Sequence, residues 1–443
     1  MPNIYATLGE HFQISTSDFA KYYFTGYEYI LQRYFRDPTE ENAIEVANRL
    51  SEFHAKSAPV TNSLHNLNLF ERVLGKLKAD YRGHIIHIIN VLFLGVFFFE
   101  RIPMLQSALL CYPGENVDEK TDNSKAGDIE IRRSVFYYRW IFASLFHDIG
   151  YIFELMAQTE SKAIIRSPNN PLLSIDPIII DIEKNSLNNL RLEKIRRQKI
   201  IREYAQENRD LPIISLIHNY DDLFPSYHWA EDDTLRKVKE YTDILEHIAY
   251  SISKVNKDIH GDKDDNLTIL NRTMNESFQV GGEKTFDHGK LSAFMLMHEI
   301  RNVFELNRNN KDATMLKIEM EQMRISWQRA IVYLEVVDAA TAIYLHNTLR
   351  FQLADKWAPY SPFNIPPLSY LLMLCDFLVE WDKPQKGYQP DRNNVDAHAV
   401  SIAINNGTEI SLAYKDQKKI VEDLKGKINK LFDKSKISIK VEY

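Results

Sequence analysis

The chain has 443 residues, 54 basic and 61 acidic side chains and a net charge of −7, so it lacks the basic excess of a general nucleic-acid binder. Its two cysteines, Cys111 and Cys375, exclude a disulfide framework and fit a reducing, cytoplasmic compartment. Hydrophobic residues at 44% and aromatic residues at 12% predict a globular protein with a sizeable core. The opening Met1-Pro2-Asn3-Ile4-Tyr5 carries no signal-peptide pattern.

Residues 1–75 read as an N-terminal helical region of mixed patterning, in which Tyr22-Tyr23-Phe24 and Tyr27 form an aromatic stripe expected to pack. Residues 76–110 read as a first ligand-bearing helix and its successor. The most apolar run, Ile85 to Phe99, is interrupted by His87, Asn90 and Gly95 and falls short of the ~20 residues that span a bilayer. It is therefore expected to be a core helix, with no membrane as partner. Pro113 to Gly127 reads as a loop. A helix over Arg132–Phe153 carries His147 and Asp148 near its C-terminal end, where Gly150 loosens or ends it. From about 155 to 285 no ligand pattern appears, and the stretch reads as an insertion of helices and loops. A lid, a substrate-selecting element or an oligomer contact are its open roles. Helices resume at Gly289–Leu306, Leu316–His346 and Leu368–Trp381. In the last segment, 396–443, Val400–Ile404 and Glu409–Tyr414 alternate apolar and polar residues around Asn405-Asn406-Gly407, a hairpin signal. A helix at about 416–432 and a strand at Ile437–Tyr443 complete a small α+β tail. The expected fold is mainly α, with residues 76–395 as its central domain.

The adjacent pair His147-Asp148, in Ser144-Leu145-Phe146-His147-Asp148-Ile149-Gly150-Tyr151, is the strongest chemical signal. Neighbours on a helix point about 100° apart and can share a metal centre at their common edge. The aspartate can bridge two ions while the histidine ligates one. Between Phe146 and Ile149 an unpaired aspartate would be costly. Further candidates sit in similar settings. His84 and His87 lie three apart in one apolar helix. His288 opens a run of small residues, with Asp287 as a capping candidate and Lys290 as a phosphate contact. His346 closes an Ala-rich apolar stripe. Asp376 lies among Leu372, Leu374, Cys375, Phe377 and Leu378, which offer no local cation. Metal ligation is therefore expected for it in place of a salt bridge. His218 is the competing histidine, and Glu154 is placed to orient a ligand. No phosphate-binding glycine loop or nucleophile elbow is present.

Read in order, the chain offers His, His-Asp, His, His, Asp. This order and its flanks resemble the HD-domain metal-dependent phosphohydrolase superfamily, from about Arg82 to Asp382 with the insertion inside it. The resemblance implies an HD-domain helical bundle whose metal ligands are His87, His147, Asp148, His288, His346 and Asp376. Val91, the apolar residue four positions after His87, selects His87 as the first ligand. The resemblance further implies two divalent ions (Fe, Mn, Mg, Zn, Co or Ni) and a small phosphorylated substrate, a nucleotide first of all. Catalytic roles fall to Asp148, to Lys290 and to His84. The last resembles a proton-donating histidine of cyclic-nucleotide phosphodiesterases, with a spacing of three where those have four. Arg82 and Lys383 are further candidates for neutralising charge. No long nucleic acid is expected as partner, and a homo-oligomer is compatible with this reading. Two other readings stay open. Mixed-valent di-iron oxygenases share the ligand order but tend to place a lysine three residues after the motif aspartate, where this chain has Tyr151. A non-catalytic nucleotide sensor would keep the metal site and use the tail as output.

Overall fold

The structure is a computed structural model and describes residues 3–54, 84–110, 126–150, 329–351, 358–379, 400–415 and 418–442, with His288, Gly289, Ser292, Ala293, Leu296, Ala354 and Trp381. The described chain is mainly helical. Four helices come first: α1 (Ile4–His11), α2 (Asp18–Phe24), α3 (Glu28–Arg36) and α4 (Glu40–His54). Asn3 and Ser17 cap α1 and α2 by accepting backbone N–H groups with their side-chain oxygens. In the aromatic stripe, Tyr23 and Phe24 are buried as expected. Tyr22 and Tyr27 are not, at 40% and 41% exposure. Tyr27 lies under the Arg49 guanidinium, 3.7 Å from it, and the Tyr22 hydroxyl donates to Glu130.

Helix α5 (His84–Arg101) is the axis of the core. By length and composition it could cross a membrane, but 83% of it is buried inside the protein. An apolar helix enclosed on all sides is what a core helix needs. The short α6 (Pro103–Leu110) follows, then α7 (Ala126–Phe146), α8 (Arg329–Phe351) and α9 (Pro367–Leu378). Helix α5 packs on α7, α7 on α8, α8 on α9, and α9 back on α5. These four form a closed ring of neighbours. Helices α5 and α7 approach closely because Gly95 leaves a notch. A Cβ there would stand 2.0 Å from Cζ2 of Trp140, and the indole N–H of Trp140 donates to the Leu92 carbonyl.

Three element boundaries depart from the sequence expectation. Helix α7 ends at Phe146, so His147 and Asp148 lie in the turn 147–150 and not on the helix. Helix α8 runs to Phe351, five residues beyond the expected close at His346, because Asn347 to Phe351 continue without a helix breaker. Helix α9 stops at Leu378, three residues short of Trp381. The tail contains β1 (Val400–Asn405), β2 (Glu409–Tyr414), α10 (Lys418–Leu431) and β3 (Ser438–Glu442). Strand β1 pairs antiparallel with β2 through the expected hairpin. Asn406 and Gly407 both take positive φ, at 53° and 69°, the backbone that an Asn-Gly turn favours. Strand β3 returns through α10 to pair parallel with β2, which is central.

Candidate metal centre

Each of the four ringed helices delivers a titratable side chain to one place. His84 and His87 come from the first turn of α5, His147 and Asp148 from the turn after α7, His346 from α8 and Asp376 from α9. His288 arrives from a helical segment that also holds Gly289, Ser292, Ala293 and Leu296. The Ser292 hydroxyl accepts the backbone N–H of Gly150, which ties that segment to the His-Asp turn. His87 and His147 are fully buried, and His346, His84 and Asp148 nearly so. His288 and Asp376 keep 17% and 12% of their side-chain surface.

The ligating atoms of His87, His147 and Asp148 all lie within 4.8 Å of one another, as do those of Asp148, His288 and His346. Asp148 belongs to both groups and divides its oxygens between them. Its Oδ2 is 3.4 Å from His147 Nε2 and 3.7 Å from His87 Nε2, whereas its Oδ1 is 3.5 Å from His288 Nε2. Asp376 joins the first group through His87, with Oδ1 3.0 Å from Nε2.

The imidazoles are fixed through their outward nitrogens. His147 Nδ1 is 2.7 Å from the Ser144 carbonyl, and His346 Nδ1 meets the Ile343 carbonyl. A carbonyl can only accept, so in both rings Nδ1 carries the proton and Nε2 presents its lone pair inward. Ser144 belongs to the last turn of α7, whose carbonyls have no further helical turn to bond. The turn at 147 thereby gives His147 its anchor. His346 Nε2 is buried and has no hydrogen-bond partner. A buried lone pair with no hydrogen-bond partner, in a cluster of histidines and carboxylates, is suited to ligate a metal ion.

Electrostatics agree. Burial pushes His147 down to about 4 and lowers His346 too, so both rings are neutral at neutral pH, the form that binds metals. Burial acts to raise the Asp148 carboxyl, but His147, His288, His87 and His84 outweigh it and hold the group below the usual carboxylate range. Asp376 is likewise held well down. Burial opposes this and is overcome by the His87 contact and by Arg350. The residues present fit a divalent ion. Imidazole nitrogens and carboxylate oxygens, neutral and ionised respectively, suit hard or borderline metals.

One feature was not expected. Arg350 Nη1 stands 3.2 Å from Asp376 Oδ2, so the expectation that Asp376 has no cation beside it is corrected. The cation comes from α8, a different helix, which the neighbours of Asp376 in sequence could not reveal. Its signal was the spacing of four from His346, which places both on one helical face. Gly289, in the run of small residues that follows His288, meets α8 at His346, the close approach that such a run predicts. A Cβ there would lie 2.8 Å from His346 Cε1 and 2.9 Å from the Ile343 carbonyl, so only glycine lets these elements meet. Lys290, Asp287, Glu154, His218, Arg82, Lys383 and the insertion at 155–285 lie outside the described residues. No protein-family model, no curated protein and no solved structure matches the chain.

Proposed function

We propose that the protein is an HD-type metal-dependent phosphohydrolase that cleaves a phosphate ester, with a nucleotide as substrate. The observation that carries this reading is the division of the Asp148 oxygens between two histidine groups. One carboxylate shared in this way is a bridging ligand in waiting, and the ligand order along the chain supports the same class. His87, His147, Asp148 and Asp376 would hold one ion, and Asp148, His288 and His346 the other. Two such ions would lower the pKa of a water between them and polarise a phosphoryl oxygen.

The chain's own groups supply the rest. Neutral His147 and His346 keep their Nδ1 protons on backbone carbonyls and so stay oriented. His84 is buried near Asp148 and helps to hold that carboxyl low, and in this reading it gives a proton to the leaving oxygen. Lys290 is assigned to the substrate phosphate from the sequence pattern. His87, His147, Asp148 and His346 are buried, which strengthens these interactions.

The test is release of inorganic phosphate or nucleoside monophosphate from a panel of nucleotides and phosphate esters, with each divalent metal in turn. Turnover that proceeds without oxygen supports the hydrolase. Turnover that requires oxygen and consumes it would move the assignment to the di-iron oxygenases.

A further inference from the structure

Arg350 is held between two groups. Its guanidinium donates to Asp376 Oδ2 at 3.2 Å and lies 5.1 Å from the centroid of the Phe377 ring. Phe377 is fully buried, and the Arg350 side chain keeps 19% of its surface. The other oxygen of the same carboxylate, Oδ1, faces His87 at 3.0 Å. Arg350 and His346 are four residues apart on α8, so one helix carries both a candidate ligand and the cation beside another. A carboxylate on its own can swing, ligate through two oxygens or turn away from an ion. Here one oxygen is held by a planar donor whose cation itself lies over an aromatic ring.

We propose that Arg350 is a positioning residue of the metal centre: by holding Oδ2 of Asp376 it presents the single oxygen Oδ1 to the ion beside His87. The inference rests on the metal-centre reading above. It makes a prediction opposite in sign to that of charge alone. Removing a positive charge next to a ligand carboxylate should, by Coulomb attraction, tighten the binding of a cation. Removing the group that orients the carboxylate should weaken it, by about tenfold on the scale typical of residues that orient metal ligands.

The experiment is titration of Co2+ alone into chelator-treated, full-length protein, followed by calorimetry and by the visible Co2+ absorption, with circular dichroism to verify folding. The set comprises wild type, Arg350→Ala, Arg350→Lys, Asp376→Asn and the double variant Arg350→Ala/Asp376→Asn. Arg350→Ala is expected to weaken one Co2+ about tenfold and to change its absorption band. Arg350→Lys, which keeps the charge but loses the planar fork, should fall in between. In the Asp376→Asn background Arg350→Ala should add no further loss, because the two-oxygen carboxylate it positions is already gone. Unchanged or tighter Co2+ binding in Arg350→Ala overturns the proposal, as does an equal loss in both backgrounds, which marks a merely structural residue. If Arg350→Ala does not fold, Arg350→Lys decides: weakened Co2+ supports the proposal and wild-type affinity overturns it. A wild-type protein that binds no Co2+ overturns the metal centre itself and this inference with it. Wild-type binding with an unaffected Arg350→Ala overturns this inference alone.

Discussion

At the scale of single residues, the site depends on two kinds of control, steric and protonic. Gly289 is the steric case. Any side chain there must displace either the His346 ring or the Ile343 carbonyl that anchors it. Gly289→Ala is therefore expected to weaken one of the two ions about tenfold while leaving the other unchanged, as metal titration would show. Equal weakening of both ions would contradict this. His147 is the protonic case. Its ordinary value of 6.5 falls to about 4 in the folded protein, so between those values the unfolded chain binds more protons than the native one. Stability from this residue is complete above pH 6.5 and is lost as the pH falls toward 4, by about 3 kcal/mol. Asp148 and Asp376, held low in the fold, add a loss of the same sign at lower pH. Metal-free protein should thus lose thermal stability between pH 7 and 4, and His147→Gln should flatten the upper part of that profile. An unchanged profile in the variant would contradict the assignment. Much of the site at this scale was legible in the sequence, because a histidine or aspartate set among Phe, Ile and Leu has few explanations. Arg350 was not legible, since an arginine near the end of an amphipathic helix is ordinary. Only the contact between α8 and α9 reveals what it faces.

At the scale of elements, the helices that carry the ligands are held in register by polar pairs placed away from the site. Arg139 of α7 donates to Asp338 of α8 at 2.9 Å, and both are buried. Each lies eight residues before a candidate ligand of its own segment, His147 and His346. Such a pair adds little net stability, but loss of one partner leaves the buried charge of the other less well compensated. Asp338→Ala should cost about 3 kcal/mol or more in chemical denaturation. Replacing both residues with apolar ones should recover most of that. If the double replacement is as damaging as the single one, poorly compensated charge is not the cause. The same scale shows where sequence reading fell short. The helical periods of α5, α8 and α9 predicted the elements, but the end of α7 was read seven residues too late. The apolar residues Ile149, Ile152 and Phe153 extend the helical pattern past the turn, and Gly150 was the weaker signal that proved right.

At the scale of the whole molecule, the N-terminal helices and the C-terminal tail are both fastened to the ring of helices. Glu100 at the end of α5 accepts hydrogen bonds from the Tyr137 hydroxyl at 2.7 Å, the Phe19 N–H at 3.0 Å and the Ser17 hydroxyl at 3.2 Å, and it lies 2.7 Å from His11 Nε2. One partly buried carboxylate thus joins α1, α2, α5 and α7. On the opposite side of the sequence, Phe432 packs against Tyr370 and Phe377 of α9, and the Tyr414 hydroxyl donates to the Leu378 carbonyl. The tail therefore buttresses the helix that carries Asp376. Phe432→Ala should cost about 3 kcal/mol in one cooperative transition, and two separated transitions in calorimetry would show that the tail unfolds on its own. The hairpin at Asn406-Gly407 was readable from sequence because its turn residues specify the backbone. The docking of the tail on α9 was not, since nothing in an alternating strand names its partner.

The central claim is that one carboxylate, Asp148, serves two ions. Elemental analysis of full-length protein, wild type and Asp148→Ala, tests it most directly, with circular dichroism to verify that the helices persist. The account predicts two divalent ions per chain in the wild type and loss of both in the variant, because each histidine group loses its own oxygen of the shared carboxylate. A wild type with a single ion, or a folded Asp148→Ala variant that retains one at full occupancy, would contradict it.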